Sequence, residues 1–134
     1  MIRPAAILRF VTEQIRAFDI RCPGPMARAG SLSGGNLQKA LLARELALDP
    51  AVLVAAQPTR GLDVGATRFV HEKFLALRAR GCGLVVISED LEELLTLSDR
   101  IAVLYEGIVA GVLDAAEATV ARIGLLMSGV REAA

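Results

Sequence analysis

The chain has 134 residues with 15 basic and 15 acidic side chains, so its formal charge is zero and a basic nucleic-acid-binding patch has no support. It is 54% hydrophobic with a mean hydropathy of +0.49. No apolar run approaches the roughly 18–20 residues that span a bilayer, so the apolar excess fits buried strands or a surface that expects a partner.

The length suits one domain with a real core. Met1-Ile2-Arg3-Pro4 is not followed by the long apolar core of a secretory leader, so the chain reads as cytoplasmic. Ile7, Leu8, Val11, Ile15 and Phe18 recur at helical spacing and predict an amphipathic helix over 4–18. Cys22-Pro23-Gly24-Pro25 breaks it. Cys22 and Cys82 are the only cysteines, lie far apart and read as buried free thiols in a reducing compartment. Lys39 and Lys73 are the only lysines, the other basic residues being Arg, which reads as a compositional bias.

Ser33 stands where it can cap a helix over 34–48 that stops before Asp49-Pro50. Ala51-Val52-Leu53-Val54-Ala55-Ala56 reads as a strand buried on both faces. After the loop 57–63, Ala66, Phe69, Val70, Phe74 and Leu77 line one face of a helix, with Thr67, Arg68, His71, Glu72 and Arg78 mostly opposite. Gly81-Cys82-Gly83 ends it, and Leu84-Val85-Val86-Ile87 is a second buried strand. Asp90 and Glu93 have capping-box spacing, so a helix should begin near Leu91. A third strand over 101–105 turns at Glu106-Gly107 and returns over 108–111, and the tail from about 114 to 130 is weakly helical. Strands alternating with helices give a doubly wound α/β arrangement.

The segment Ser31-Leu32-Ser33-Gly34-Gly35-Asn36-Leu37-Gln38-Lys39 puts a hydroxyl and two glycines at a helix start. Free backbone N–H groups and the positive end of the helix dipole there suit a phosphate. Gly34 and Gly35 leave no side chain to hold it away.

With this motif stand Pro58-Thr59-Arg60-Gly61-Leu62-Asp63 after the first apolar strand and Ser88 after the second. The ordered series resembles the second half of an ATP-binding cassette (ABC) ATPase domain, over essentially the whole chain. It is most similar to the C-terminal ATPase half of importers for simple sugars or nucleosides. The signature Leu32-Ser33-Gly34-Gly35-Asn36, ending in Asn, and Gln57-Pro58-Thr59-Arg60-Gly61-Leu62-Asp63-Val64-Gly65-Ala66 carry that resemblance. Leu37 departs mildly from it, standing where related importers often have Gln.

The resemblance implies an α/β fold, the C-terminal part of a P-loop-type cassette: a mostly parallel sheet flanked by helices. A piece of the helical subdomain would cover 1–48 and the α/β core 49–134. No Gly-x-x-x-x-Gly-Lys-Ser/Thr phosphate loop occurs. Where the family has Asp and Glu after the first strand, for Mg²⁺ and for the attacking water, this chain has Ala56 and Gln57. Glu89 replaces the family's switch histidine after Ser88. The residues that reach a partner domain are intact. Ser33, Gly34, Gly35 and Asn36 would touch ATP held by a second ABC ATPase half, with Mg²⁺ supplied through that partner, and Asp63 would work at the interface.

The chain so read is an ATP-binding fragment of an importer, without catalytic or metal-binding residues of its own and not active alone. Its partners would be the second ATPase half and transmembrane permease subunits, which would hold it on the inner face of the cell membrane. The other readings are a stand-alone, non-catalytic regulatory or interaction module and a non-functional remnant. Asp63 taken singly can also be a helix cap. His71, Glu92, Glu93 and Glu106 read as solvated, and Tyr105 as packing at a strand end.

Overall fold

The computed structural model describes residues 3–130; Met1 and Ile2, part of the N-terminal reading above, lie outside them. The chain divides into two units, one ending at Val85 and one starting at Val86.

In the first unit, α1 (Pro4–Ala17) carries Pro at its first position, where a missing N–H costs nothing. A 3₁₀ turn, Ala29–Ser31, leads to α2 (Gly34–Leu46), which stops two residues short of the expected end. Strand β1 (Val52–Ala56) and helix α3 (Val64–Ala79) follow, and strand β2 (Gly83–Ile87) runs across the boundary between the units. The first unit's core holds Phe18 and Ile20 from the loop after α1, Leu42 and Ala43 from α2, and Ala66, Val70, Phe74 and Leu77 from α3. Four of these recur along α3 at the spacing of one helix face, as its sequence predicts. Past α3, Gly81 takes a left-handed φ of 88°, and the Cys82 N–H returns to Leu77 O at 3.1 Å.

β1 and β2 form a two-stranded sheet. Both read as buried on two faces; instead exposure alternates along each. Val52 and Val54 on β1 and Val85 and Ile87 on β2 are at least half exposed. Their apolar pattern is that of a strand covered on both sides, whereas here one face stays exposed.

The second unit builds its core on the antiparallel hairpin of β3 (Arg100–Tyr105) and β4 (Ile108–Asp114). Glu106 and Gly107 both have positive φ, 47° and 79°, the two-residue turn whose twist matches paired strands. A bulge between Val103 and Leu104 shifts the register. Helix α5 (Val120–Met127), capped by Thr119, lays Ile123 and Leu126 onto Ile101, Val103 and Leu113. Gly111 makes room: a Cβ there would lie 2.9 Å from a Leu126 methyl. Tyr105 packs at the strand end as expected, its ring filling the space beside Gly129. Helix α4 (Leu91–Leu97) starts where predicted, with Asp90 accepting from the Glu92 and Glu93 amides. Glu93, expected in solvent, is 3% exposed. It shares a helix face with Leu97, four residues on, which is buried too. Glu92 and Glu106 are exposed as expected; His71, expected in solvent, is half-buried, and Cys22 and Cys82, expected to be buried, are only partly so.

Candidate functional site

In the first unit a cleft of about 540 Å³ is lined by Ser33, Gly35 and Asn36 of the α2 start and by Asp63, Gly65 and Ala66 of the α3 start. Two segments 30 residues apart in sequence are thus brought together, and four of the five predicted site residues lie on one cavity.

Gly35 makes that approach possible. A Cβ at this position would stand 3.3 Å from Ala66 Cβ, tighter than ordinary contact. Gln38, one turn on, donates from Nε2 to Pro58 O at 2.8 Å and ties α2 to the loop after β1. Gly34 has the opposite surroundings: a Cβ there would meet nothing within 4 Å. Packing within this chain therefore explains Gly35 and leaves Gly34 facing open space.

Ser33 occupies the N-cap position in extended conformation, yet its side chain makes no cap bond, contrary to the expected cap. The first bond of the helix runs from the Leu37 N–H to Ser33 O at 2.8 Å. The amides of Gly34, Gly35 and Asn36 precede it and belong to the group a helix leaves without internal partners. Ser33 Oγ instead accepts from Asn36 Nδ2 at 2.9 Å, while Asn36 Oδ1 accepts the Arg21 N–H at 2.7 Å.

Asp63 is exposed and caps α3, its Oδ1 accepting from the Ala66 N–H at 2.8 Å. That bond holds the carboxylate at the cleft edge, beside the positive end of the α3 dipole.

Lys39, Arg21 and Arg68 bring positive charge to the wall, and Asp19 and Glu72 answer it. Lys39 is committed: Nζ donates to Asp19 O at 3.0 Å and to Asp19 Oδ2 at 3.1 Å, and lies 4.8 Å from the centre of the Phe69 ring. Lys73 covers the same aromatic pair, 4.8 Å from Phe18 and 5.1 Å from Phe69. The Lys39 hydrogen bond, and then its charge, hold the Asp19 carboxyl below its ordinary value of 3.8. Arg21, Lys39 and Phe69 were not singled out as site residues from sequence. Their signal is three-dimensional, since Asp19 and Arg21 reach α2 only through the loop after α1.

The cleft thus offers a spare hydroxyl proton and an unbonded first helical turn, a donor set that fits an oxyanion such as a phosphate, while Gly34, outside its lining, leaves open space beside it. The end of β1 has no such equipment. Ala56 has no ligand atom, and Gln57, at φ 50°, has a neutral amide that cannot take up a proton. These two residues do not fit a Mg²⁺ site or a catalytic base. In the second unit Glu89 is exposed just past β2. Among the described residues, no group of three or more His, Cys, Asp or Glu is placed to hold a metal ion, and no helix is long and apolar enough to cross a membrane.

No protein-family model matches the chain. Individual proteins do. It is 48% identical over 115 residues to the guanosine import ATP-binding protein NupO of Bacillus subtilis, a match covering 86% of this chain and 22% of that protein. Identity reaches 52% over 117 residues with the glucose import ATP-binding protein TsgD13 of Haloferax volcanii, covering 86% and 21%. The nucleoside import ATP-binding protein NupA of Lactococcus lactis is 44% identical over 117 residues, covering 87% and 23%. The chain therefore spans under a quarter of the length of these relatives. The fold matches that of an ATP-binding cassette, MJ0796, solved as a dimer bound to ADP and Pi, with a TM-score of 0.73 and 22% identity over 86% of this chain and 50% of that one.

Proposed function

Because the chain is homologous, over 86–90% of its length, to part of the ATP-binding cassette proteins of nucleoside and sugar importers, we propose that it is the C-terminal portion of such a cassette, serving import of a simple sugar or a nucleoside and lending its signature segment to a nucleotide held by a partner cassette. In this reading residues 1–48 are helical subdomain and 49–134 belong to the α/β core. The observation that carries it is the cleft where Ser33, Gly35, Asn36 and Asp63 converge at an α2 start that Ser33 does not cap.

Bound by the partner, ATP with Mg²⁺ supplies the γ-phosphate that this cleft faces and the binding energy that holds the two cassettes together. Ser33 donates its hydroxyl proton outward, and the Gly34 and Gly35 amides add donors at the positive end of the α2 dipole. Gly34 keeps the approach open. Asp63 caps α3 and holds its first turn beside α2, giving the partner a firm edge to meet. The chain does no hydrolysis itself, since Ala56 and Gln57 lack the ligand and the base. Its place is the inner face of the membrane, held there by permease subunits.

The test is to add the chain to an intact importer cassette and follow ATP turnover. Wild type should raise the partner's rate, and Ser33→Arg, which fills the cleft with a long side chain, should not. Equal stimulation by both would sink the reading. The bare apolar face of β1 and β2 favours a second reading, a non-catalytic interaction module. Stable association without any change in turnover would support that one instead.

A further inference from the structure

Asn36 stands in the signature among the nucleotide-contacting candidates, yet both ends of its amide are engaged within the chain. The Arg21 N–H can bond only to an acceptor, so its 2.7 Å contact identifies Oδ1 and fixes the direction of the amide. Nδ2 then necessarily donates to Ser33 Oγ at 2.9 Å. That nitrogen has no lone pair to receive a proton, so the Ser33 hydroxyl cannot donate back to it. Nor does Ser33 Oγ cap α2. The hydroxyl accepts from behind, and its own proton is left for a group beyond Asn36, on a residue that lines the cleft.

The anchor of this bridge is firm. Arg21 follows Ile20, which is 9% exposed, and Asp19, which Lys39 grips through two hydrogen bonds. Asn36 and Lys39 are three residues apart and so neighbour each other on α2. Together they clasp residues 19–21 from one helix.

We infer that Asn36 is a positioning residue: it spans from the Arg21 backbone to Ser33 and turns the Ser33 hydroxyl proton away from its own chain, toward a phosphate oxygen of the partner's nucleotide. The last clause rests on the function proposed above; the bridge itself does not. Asn at this place supplies one acceptor and one donor at the reach the bridge needs. An aspartate would keep the Arg21 bond but, lacking a donor, would draw the serine proton inward.

Two measurements on the same set of variants decide it. The first is NMR hydrogen exchange of the Arg21 amide and the Asn36 side-chain amide. Ser33→Ala should speed exchange at the Asn36 amide while the Arg21 amide stays protected, and Asn36→Ala should release the Arg21 amide. The second is stimulation of ATP turnover by an intact partner cassette. Ser33→Ala and Asn36→Ala should each lower it about tenfold, the scale of one hydrogen bond to a charged group, and the double variant no further. Asn36→Asp, which retains the Arg21 bond and hence the local fold, should keep Arg21 protected and lose stimulation. The inference is overturned if Ser33→Ala leaves Asn36 exchange unchanged, if the double variant loses the product of the single effects, or if Asn36→Asp stimulates like wild type. If wild type itself does not stimulate, the trans-nucleotide reading falls, the phosphate clause with it, and exchange alone decides the bridge.

Discussion

Gly34 and Gly35 are adjacent in sequence and differ in what they do. Gly35 is needed by the fold, because Ala66 occupies the space a side chain would take. Gly34 has nothing beside it. Gly34→Ala should therefore leave stability within about 0.5 kcal/mol, since Ala is the better helix former and meets no clash. The same variant should weaken stimulation of a partner cassette. A denaturant melt and a turnover assay on one preparation separate these effects, and a large loss of stability would count against the open surroundings. Asp19 gives a second prediction. Its folded-state value lies below 3.8 because of Lys39, so the pairing stabilises the fold above that pH and is lost as pH falls through the lowered value. Lys39→Met should bring the Asp19 titration, followed by carboxyl carbon shifts in NMR, back toward 3.8. An unchanged midpoint would show that Lys39 is not the cause. Both residues were visible in the sequence, but their pairing was not: a lysine beside a signature says nothing about a loop 20 positions earlier.

Local signals placed most elements. Asp90 with Glu93 announced the start of α4, and Glu106-Gly107 between apolar strands announced the hairpin; both are backbone chemistry written in two or three neighbouring residues. Ser33 shows the limit of such signals. It has the right residue type and position for a cap, but Asn36 takes its oxygen first. Glu93 shows it again, since a charge on a short helix reads as solvated until the fold turns that face inward. Two substitutions test the hairpin unit. Glu106→Asn places a residue that tolerates positive φ at a position with φ 47° and should stabilise by roughly 0.5 kcal/mol. Gly111→Ala drives a methyl to within 2.9 Å of Leu126, itself 1% exposed and unable to move aside freely, and should cost about 1–3 kcal/mol. Thermal melts read both, and Gly111→Ala at wild-type stability would show that α5 can shift on the hairpin.

At the scale of the molecule, the family was legible because its motifs are short, ordered and fall on both strand ends and helix starts. Exposure was not, because a strand's composition records what covers it in its full setting, which the strand alone cannot reveal. Val52, Val54, Val85 and Ile87 illustrate this: an all-apolar run with one face bare. Such a face has a strong tendency to find another surface. The chain made by itself should self-associate in sedimentation experiments at micromolar concentration, and Val54→Lys with Val85→Lys should shift it toward monomer. A clean monomer with a sharp melt would contradict that expectation.

The aromatic pair beside the cleft has a practical consequence. Lys39 and Lys73 are the only lysines, and both ammonium groups rest against Phe69, with the Lys39 side chain just 14% exposed. An amine-directed label thus finds every lysine of the protein at a single location, one helical turn from the Ser33–Asn36 bridge. Acylation of Lys39 would require its contacts with Asp19 and Phe69 to open, so the rate of its modification becomes a chemical clock for loosening of the signature's own foundation.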